Sequence, residues 1–158
     1  MTNVKHIKDY LLEATFFEGM QKEYLELIAG CGQLVHFKAN EIIAKEGDDA
    51  NSFYVIREGD VAVESHMPGG VLMIGKVGAE GVVCYSWLFP PYRTDFDIRA
   101  VGEVKAIKLD GACLRGKAEQ DHELGYQFMK RFAAIMLRLM QSTRRQMLDI
   151  YGHDAGKA

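Results

Sequence analysis

The chain has 158 residues, of which 48% are hydrophobic, 26% charged and 10% aromatic. A length near the usual ~100–150 residues fits one domain with its own core, and the composition excludes a disordered or collagen-like chain. Nineteen Lys and Arg against 22 Asp and Glu leave a net charge of −3, too mild to argue for a nucleic-acid-binding surface.

No apolar run approaches the ~18 residues of a membrane span, and the N-terminus Met1–His6 has no signal-peptide core. Cys31, Cys84 and Cys113 are far apart in sequence, odd in number and without a CxxC pair. Reduced thiols and a cytoplasmic protein are expected on that basis.

Residues 1–32 read as helical. Asn3 is placed to cap, and Val4, Ile7, Leu11 and Leu12 recur at helical spacing. Phe16-Phe17 followed by Gly19 breaks the run. A second short helix then follows from Gln21 to Ala29, stopped by Gly30 and Gly32.

Residues 33–109 change texture. Short apolar segments alternate with polar or glycine punctuation: Leu34–Phe37, Glu41–Ala44, Phe53–Arg57, Val61–Ser65, Val71–Val77, Asp97–Val101 and Val104–Leu109. Such spacing predicts a β-sandwich or barrel. Arg57-Glu58-Gly59-Asp60 and Pro68-Gly69-Gly70 carry the residues that tight turns need.

Residues 110–151 are helical again. Asp110 caps a short helix through Lys117, and Asp121 starts a long one to about Tyr151, roughly 46 Å at 1.5 Å per residue. Leu124, Phe128, Phe132, Ile135 and Leu139 form one apolar track. Phe132, Met136, Leu139, Thr143, Met147 and Ile150 form a second, which begins one turn earlier at Met129. One track suffices for packing on the barrel, and the three-four spacing of the second is that of a coiled-coil seam. A homodimer through this helix is expected, with those six residues as the candidate interface. The tail, 152–158, is small and polar and reads as frayed.

The stretch Lys45-Glu46-Gly47-Asp48-Asp49-Ala50-Asn51-Ser52-Phe53-Tyr54-Val55-Ile56-Arg57-Glu58-Gly59-Asp60-Val61-Ala62-Val63 resembles the cyclic-nucleotide-binding domain of the catabolite activator and FNR-type regulators. The resemblance runs from about Phe16 to Tyr151. It implies a mainly β fold with flanking α: a double-stranded β-helix, or jelly-roll, barrel with N-terminal helices and a long C-terminal dimerisation helix. Gly47 and Gly59 then stand where the backbone turns with positive φ.

In that family a Gly-Glu-Leu or Gly-Glu-Ile and a following Arg-Ser or Arg-Thr bracket a short helix that holds a cyclic phosphate. Helix N–H groups and an Arg fork suit a phosphate, and the Glu accepts from the ribose hydroxyl. Here Tyr85-Ser86-Trp87 stands at the first motif, Arg93-Thr94 at the second, and Asp95 follows. Met140-Gln141-Ser142-Thr143 resembles the family's Leu-Gln-x-Thr, whose Thr meets the adenine edge. The resemblance thus nominates Tyr85, Ser86, Trp87, Arg93, Thr94 and Thr143 as ligand-binding residues, with cyclic AMP or cyclic GMP as the candidate ligand and no cofactor.

Full-length regulators of this type continue into a DNA-binding domain, for which this chain has no room after its long helix, so an unidentified protein partner is expected to read the signal. Residues 121–158 carry six Lys and Arg against four Asp and Glu. Arg131, Arg138 and Arg145 recur every seven residues, the pattern of a solvated coiled-coil flank. Catalytic motifs are missing: no HxH, HExxH, GxSxG or P-loop occurs, and the five histidines are scattered. A non-enzymatic sensor is the expected function, with a ligand-free scaffold of the same fold, or a sensor of another metabolite, as the alternatives.

Overall fold

The computed structural model describes residues 5–156. Helix α1 (Ile7–Glu13), a 3-10 turn (Thr15–Phe17) and α2 (Lys22–Ala29) lead into eight strands: β1 (Gly32–Phe37), β2 (Ile42–Ala44), β3 (Ser52–Glu58), β4 (Val61–Met67), β5 (Gly70–Val77), β6 (Val82–Val83), β7 (Asp97–Ala100) and β8 (Val104–Asp110). Helices α3 (Gly111–Gln120) and α4 (His122–Ala155) follow. The strands form two antiparallel sheets, in the orders β1-β8-β3-β6 and β2-β7-β4-β5. This is the jelly-roll architecture that the resemblance implied.

The alternation of side chains along a strand explains how one sheet serves two cores. In β3, Phe53 and Val55 point into a cluster beneath the helices, whereas Tyr54 and Ile56 point into the barrel. In β8, Ile107 and Leu109 take the helix side, and Val104 and Ala106 the barrel side. The other sheet closes the barrel with Val61, Ile98 and Ala100.

The turns form as their residues require. Pro68-Gly69 closes the β4–β5 hairpin, in which Met67 pairs with Gly70. Gly59 has φ +89, and a Cβ there would collide with the Glu103 carbonyl oxygen. Gly47 also sits at positive φ, +88. The Asp110 carboxylate accepts from the Cys113 N–H at 2.7 Å and so caps α3 as expected.

Four expectations need correction. Cys31 and Cys113, 82 residues apart, form a disulfide between the α2–β1 junction and the first turn of α3; Cys84 is the free cysteine. Sequence distance hid the pair because only the packed fold brings their Cα atoms to 5.8 Å. The long helix continues through Ala155, so residues 152–155 are helical rather than frayed. The first helix starts at Ile7 with His6 as its N-cap; the proposed cap Asn3 lies outside the described residues. Arg131 is no solvated flank. Its guanidinium donates to the Phe16 and Glu18 carbonyls, at 2.8 Å each, and pins the first 3-10 turn to α4.

Helix α4 is about 51 Å long at 1.5 Å per residue. Leu124, Phe128 and Phe132, at i, i+4 and i+8, are fully buried. Past Ile135 the helix leaves the body of the chain and every described side chain is exposed. Phe132, assigned by its spacing to the dimer seam, belongs to the chain's own core. The free apolar face consists of Met136, Leu139, Met140, Met147 and Ile150. No helix among the described residues is long and apolar enough to cross a membrane.

Candidate ligand-binding site

The segment between β6 and β7 determines the site. Cys84 and Tyr92 both adopt left-handed backbone, φ +69 and +58, and frame a second 3-10 turn, Ser86–Leu88. Non-glycine residues enter this region only when surrounding structure holds them there. The holding contacts come from the β2–β3 loop. Gly47 N–H donates to the Thr94 carbonyl (2.8 Å), Thr94 N–H to Asp48 (2.9 Å) and Ala50 N–H to Tyr92 (2.8 Å).

This short ladder forms the rim of a cavity of about 240 Å³. Lys45, Asp48, Tyr54, Cys84, Thr94 and Lys108 are among its lining residues. Two lysines, the Thr94 hydroxyl and the Tyr54 phenol offer hydrogen-bond donors to an oxygen-rich ligand. Burial pushes the Cys84 thiol up to about 12 and raises the Tyr54 phenol, which keeps both neutral at ordinary pH.

One buried carboxylate anchors the rim from below. Asp97, at the start of β7, accepts from the Glu46 N–H at 2.7 Å and pairs with His66 Nε2 of β4 at 2.6 Å. His36 pairs loosely with Glu103, at 3.9 Å. Only His66 is thus held closely by a carboxylate, and no group of three or more metal-ligating side chains occurs among the described residues.

The six nominated ligand residues do not converge. Thr94 lines the cavity. Arg93 lies on the rim, where its guanidinium meets Asp49 at 2.6 Å in an exposed ion pair. The Ser86 hydroxyl donates to Asp95 at 3.2 Å, and Cys84 rather than Ser86 faces the cavity. Trp87 is wholly buried, with its ring on Phe53, Phe128 and Phe132 at 5.8, 5.4 and 6.0 Å. Tyr85 packs on Phe132 at 5.7 Å and faces a different groove, beside α4. Thr143 lies far along the exposed half of α4, its hydroxyl donating to the Leu139 carbonyl at 2.9 Å.

Sequence reasoning missed Lys45, Lys108 and Arg115 as residues of the site. Arg115, in α3, donates to the Trp87 carbonyl and lies 4.7 Å from the Tyr92 ring centroid, clamping both sides of the segment. Its partners are 28 and 23 residues away, with no local signal to reveal them.

The fold and this segment define a ligand-sensing type of domain. The family model for the cyclic nucleotide-binding domain matches residues 34–121, more than half of the chain, and the chain belongs to that family. Among solved structures it is similar to a putative cyclic nucleotide-binding protein from Geobacter metallireducens GS-15. The identity is 26% and the TM-score 0.76, with 84% of this chain and 97% of that one covered. It also shares its fold with the sensor domain of the transcriptional regulator DNR from Pseudomonas aeruginosa, at 16% identity and TM-score 0.69, covering 87% and 91%. The cAMP-bound regulatory domain of Toxoplasma gondii PKA matches at 19% identity and TM-score 0.63, covering 69% of this chain and 42% of that one. No curated protein matches the chain.

Proposed function

We propose that this chain is a non-enzymatic sensor that takes a phosphate-bearing small molecule at the barrel rim and works as a homodimer through α4. Cyclic AMP and cyclic GMP are the first candidate ligands. The contact between Trp87 and Phe128 carries the reading. The segment that forms the cavity rim is packed through Trp87, Tyr85 and Phe89 on α4. A ligand that shifts the rim must therefore repack the root of that helix, because close-packed cores transmit strain rather than absorb it.

Beyond its root, α4 presents Met136, Leu139, Thr143, Met147 and Ile150 to solvent. Their three-four spacing suits a second copy of the same helix. A change at the root becomes a change in helix crossing, which a separate protein then reads. At the rim, Lys45, Lys108, Thr94 and the Arg93 guanidinium supply the charge-assisted donors that a phosphate prefers.

A ligand-free scaffold is the second reading, favoured by one observation: Asp49 already satisfies Arg93. Calorimetric titration with cyclic AMP and cyclic GMP, repeated on Arg93→Ala, separates the two. Micromolar binding lost in the variant supports the sensor. No heat at millimolar nucleotide supports the scaffold or a different metabolite.

A further inference from the structure

A second hollow, of about 920 Å³, lies between the first 3-10 turn, the β5–β6 loop and α4. It shares no lining residue with the barrel cavity. Its size falls within the ~300–1,000 Å³ of small-molecule sites. Small residues, Gly19, Ala79 and Ala134, stand at its facing positions. Arg131 fixes the walls, since its guanidinium is taken up by the Phe16 and Glu18 carbonyls and, at 2.6 Å, by Gln127 Oε1.

Two further cations are not taken up in this way. Lys130 and Arg138 flank Ala134 at i−4 and i+4, on one face of α4, and neither has a carboxylate or hydrogen-bond partner among the described residues. Phe16, Val82, Tyr85 and Ile135 supply apolar lining between them and the barrel. Glu18 and Glu80 stand on the facing wall, with Glu80 accepting from the Thr15 hydroxyl at 3.3 Å. A negative group is favoured on the α4 side and opposed on the other, so the arrangement selects one anionic head, not two.

We propose that this groove binds an amphipathic monoanion: a carboxylate or sulfonate head on Lys130 and Arg138, with an apolar body against Phe16, Tyr85 and Ile135. Because Tyr85 also belongs to the β6–β7 segment, such a ligand acts on the same lever as the barrel cavity from a separate site. The proposal stands independently of whether a cyclic nucleotide binds.

The test uses the fluorescent sulfonate 8-anilinonaphthalene-1-sulfonate on the whole chain, with dodecanoate and inorganic phosphate as competitors. Saturable binding is expected, displaced by dodecanoate and untouched by phosphate. Arg138→Glu should weaken it about tenfold, the loss of one charge-assisted hydrogen bond. Lys130→Glu, at an exposed position with no side-chain hydrogen bond or ion pair among the described residues, serves where Arg138→Glu is poorly folded. Leu72→Glu, at an exposed position of β5 that lines neither hollow, should leave dye binding unchanged. Dye binding that survives both charge reversals, or that disappears in Leu72→Glu, would overturn the proposal.

Discussion

Arg93 and Asp49 face each other across the rim of the barrel cavity, guanidinium to carboxylate at 2.6 Å. Both side chains are more than half exposed, so the pair adds little to stability. Its consequence lies in binding, because Asp49 competes with any phosphate for the same cation. Asp49→Asn should therefore tighten cyclic-nucleotide binding about two- to fivefold, the ~0.5–1 kcal/mol of an exposed pair. Calorimetry on the variant checks it, and an unchanged affinity would remove Arg93 from the phosphate seat.

Trp87 is the keystone of the helix-side core. Trp87→Ala should cost about 3–5 kcal/mol of unfolding free energy in a urea titration. Trp87→Phe should cost less, because the buried indole N–H has no acceptor among the described residues and the substitution removes it. Equal losses in the two variants would count against this packing.

The Cys31–Cys113 disulfide closes a long loop, so Cys31→Ser should lower stability by about 2–4 kcal/mol. Thiol titration of the denatured, unreduced protein should find one free group, Cys84. Three would show that the bond does not form.

Much of this architecture is legible in the sequence because its signals are local. Gly47, Gly59 and Pro68-Gly69 mark turns through their own dihedral preferences, Asp110 caps the helix beginning beside it, and seven strand segments alternate visibly. β6 escaped because Val82–Val83 is too short to show a period. The disulfide, the Arg131 brace and the Arg115 clamp join residues distant in the chain, which a pattern of neighbours does not encode. Ser86 was nominated by its place in a motif. The left-handed turn at Cys84 sets which side chain faces the cavity, and nothing in the letters announces that turn.

The pH dependence has a defined sign. Burial raises the Cys84 thiol from its ordinary 9.0 to about 12, and burial also raises the phenols of Tyr54 and Tyr85. Unfolding releases these protons more readily, so their contribution is complete below about pH 9 and declines as pH rises towards 12. Urea midpoints should fall across that window, and Cys84→Ala should flatten its lower part. Iodoacetamide should label Cys84 slowly in the folded protein and quickly in urea.

Met147→Glu places a charge in the proposed helix seam. It should raise the dimer dissociation constant about a hundredfold, equivalent to ~3 kcal/mol for an unpaired buried charge. Sedimentation of wild type and variant at micromolar concentration checks it. A monomeric wild type would defeat the seam.

Trp87 is the one tryptophan of the chain, and it lies between the cavity rim and α4. Its emission during titration with cyclic AMP and cyclic GMP reads the link between ligand and helix directly. The account predicts a saturable spectral change at micromolar nucleotide that Arg93→Ala abolishes. A spectrum that stays constant to millimolar nucleotide would contradict it.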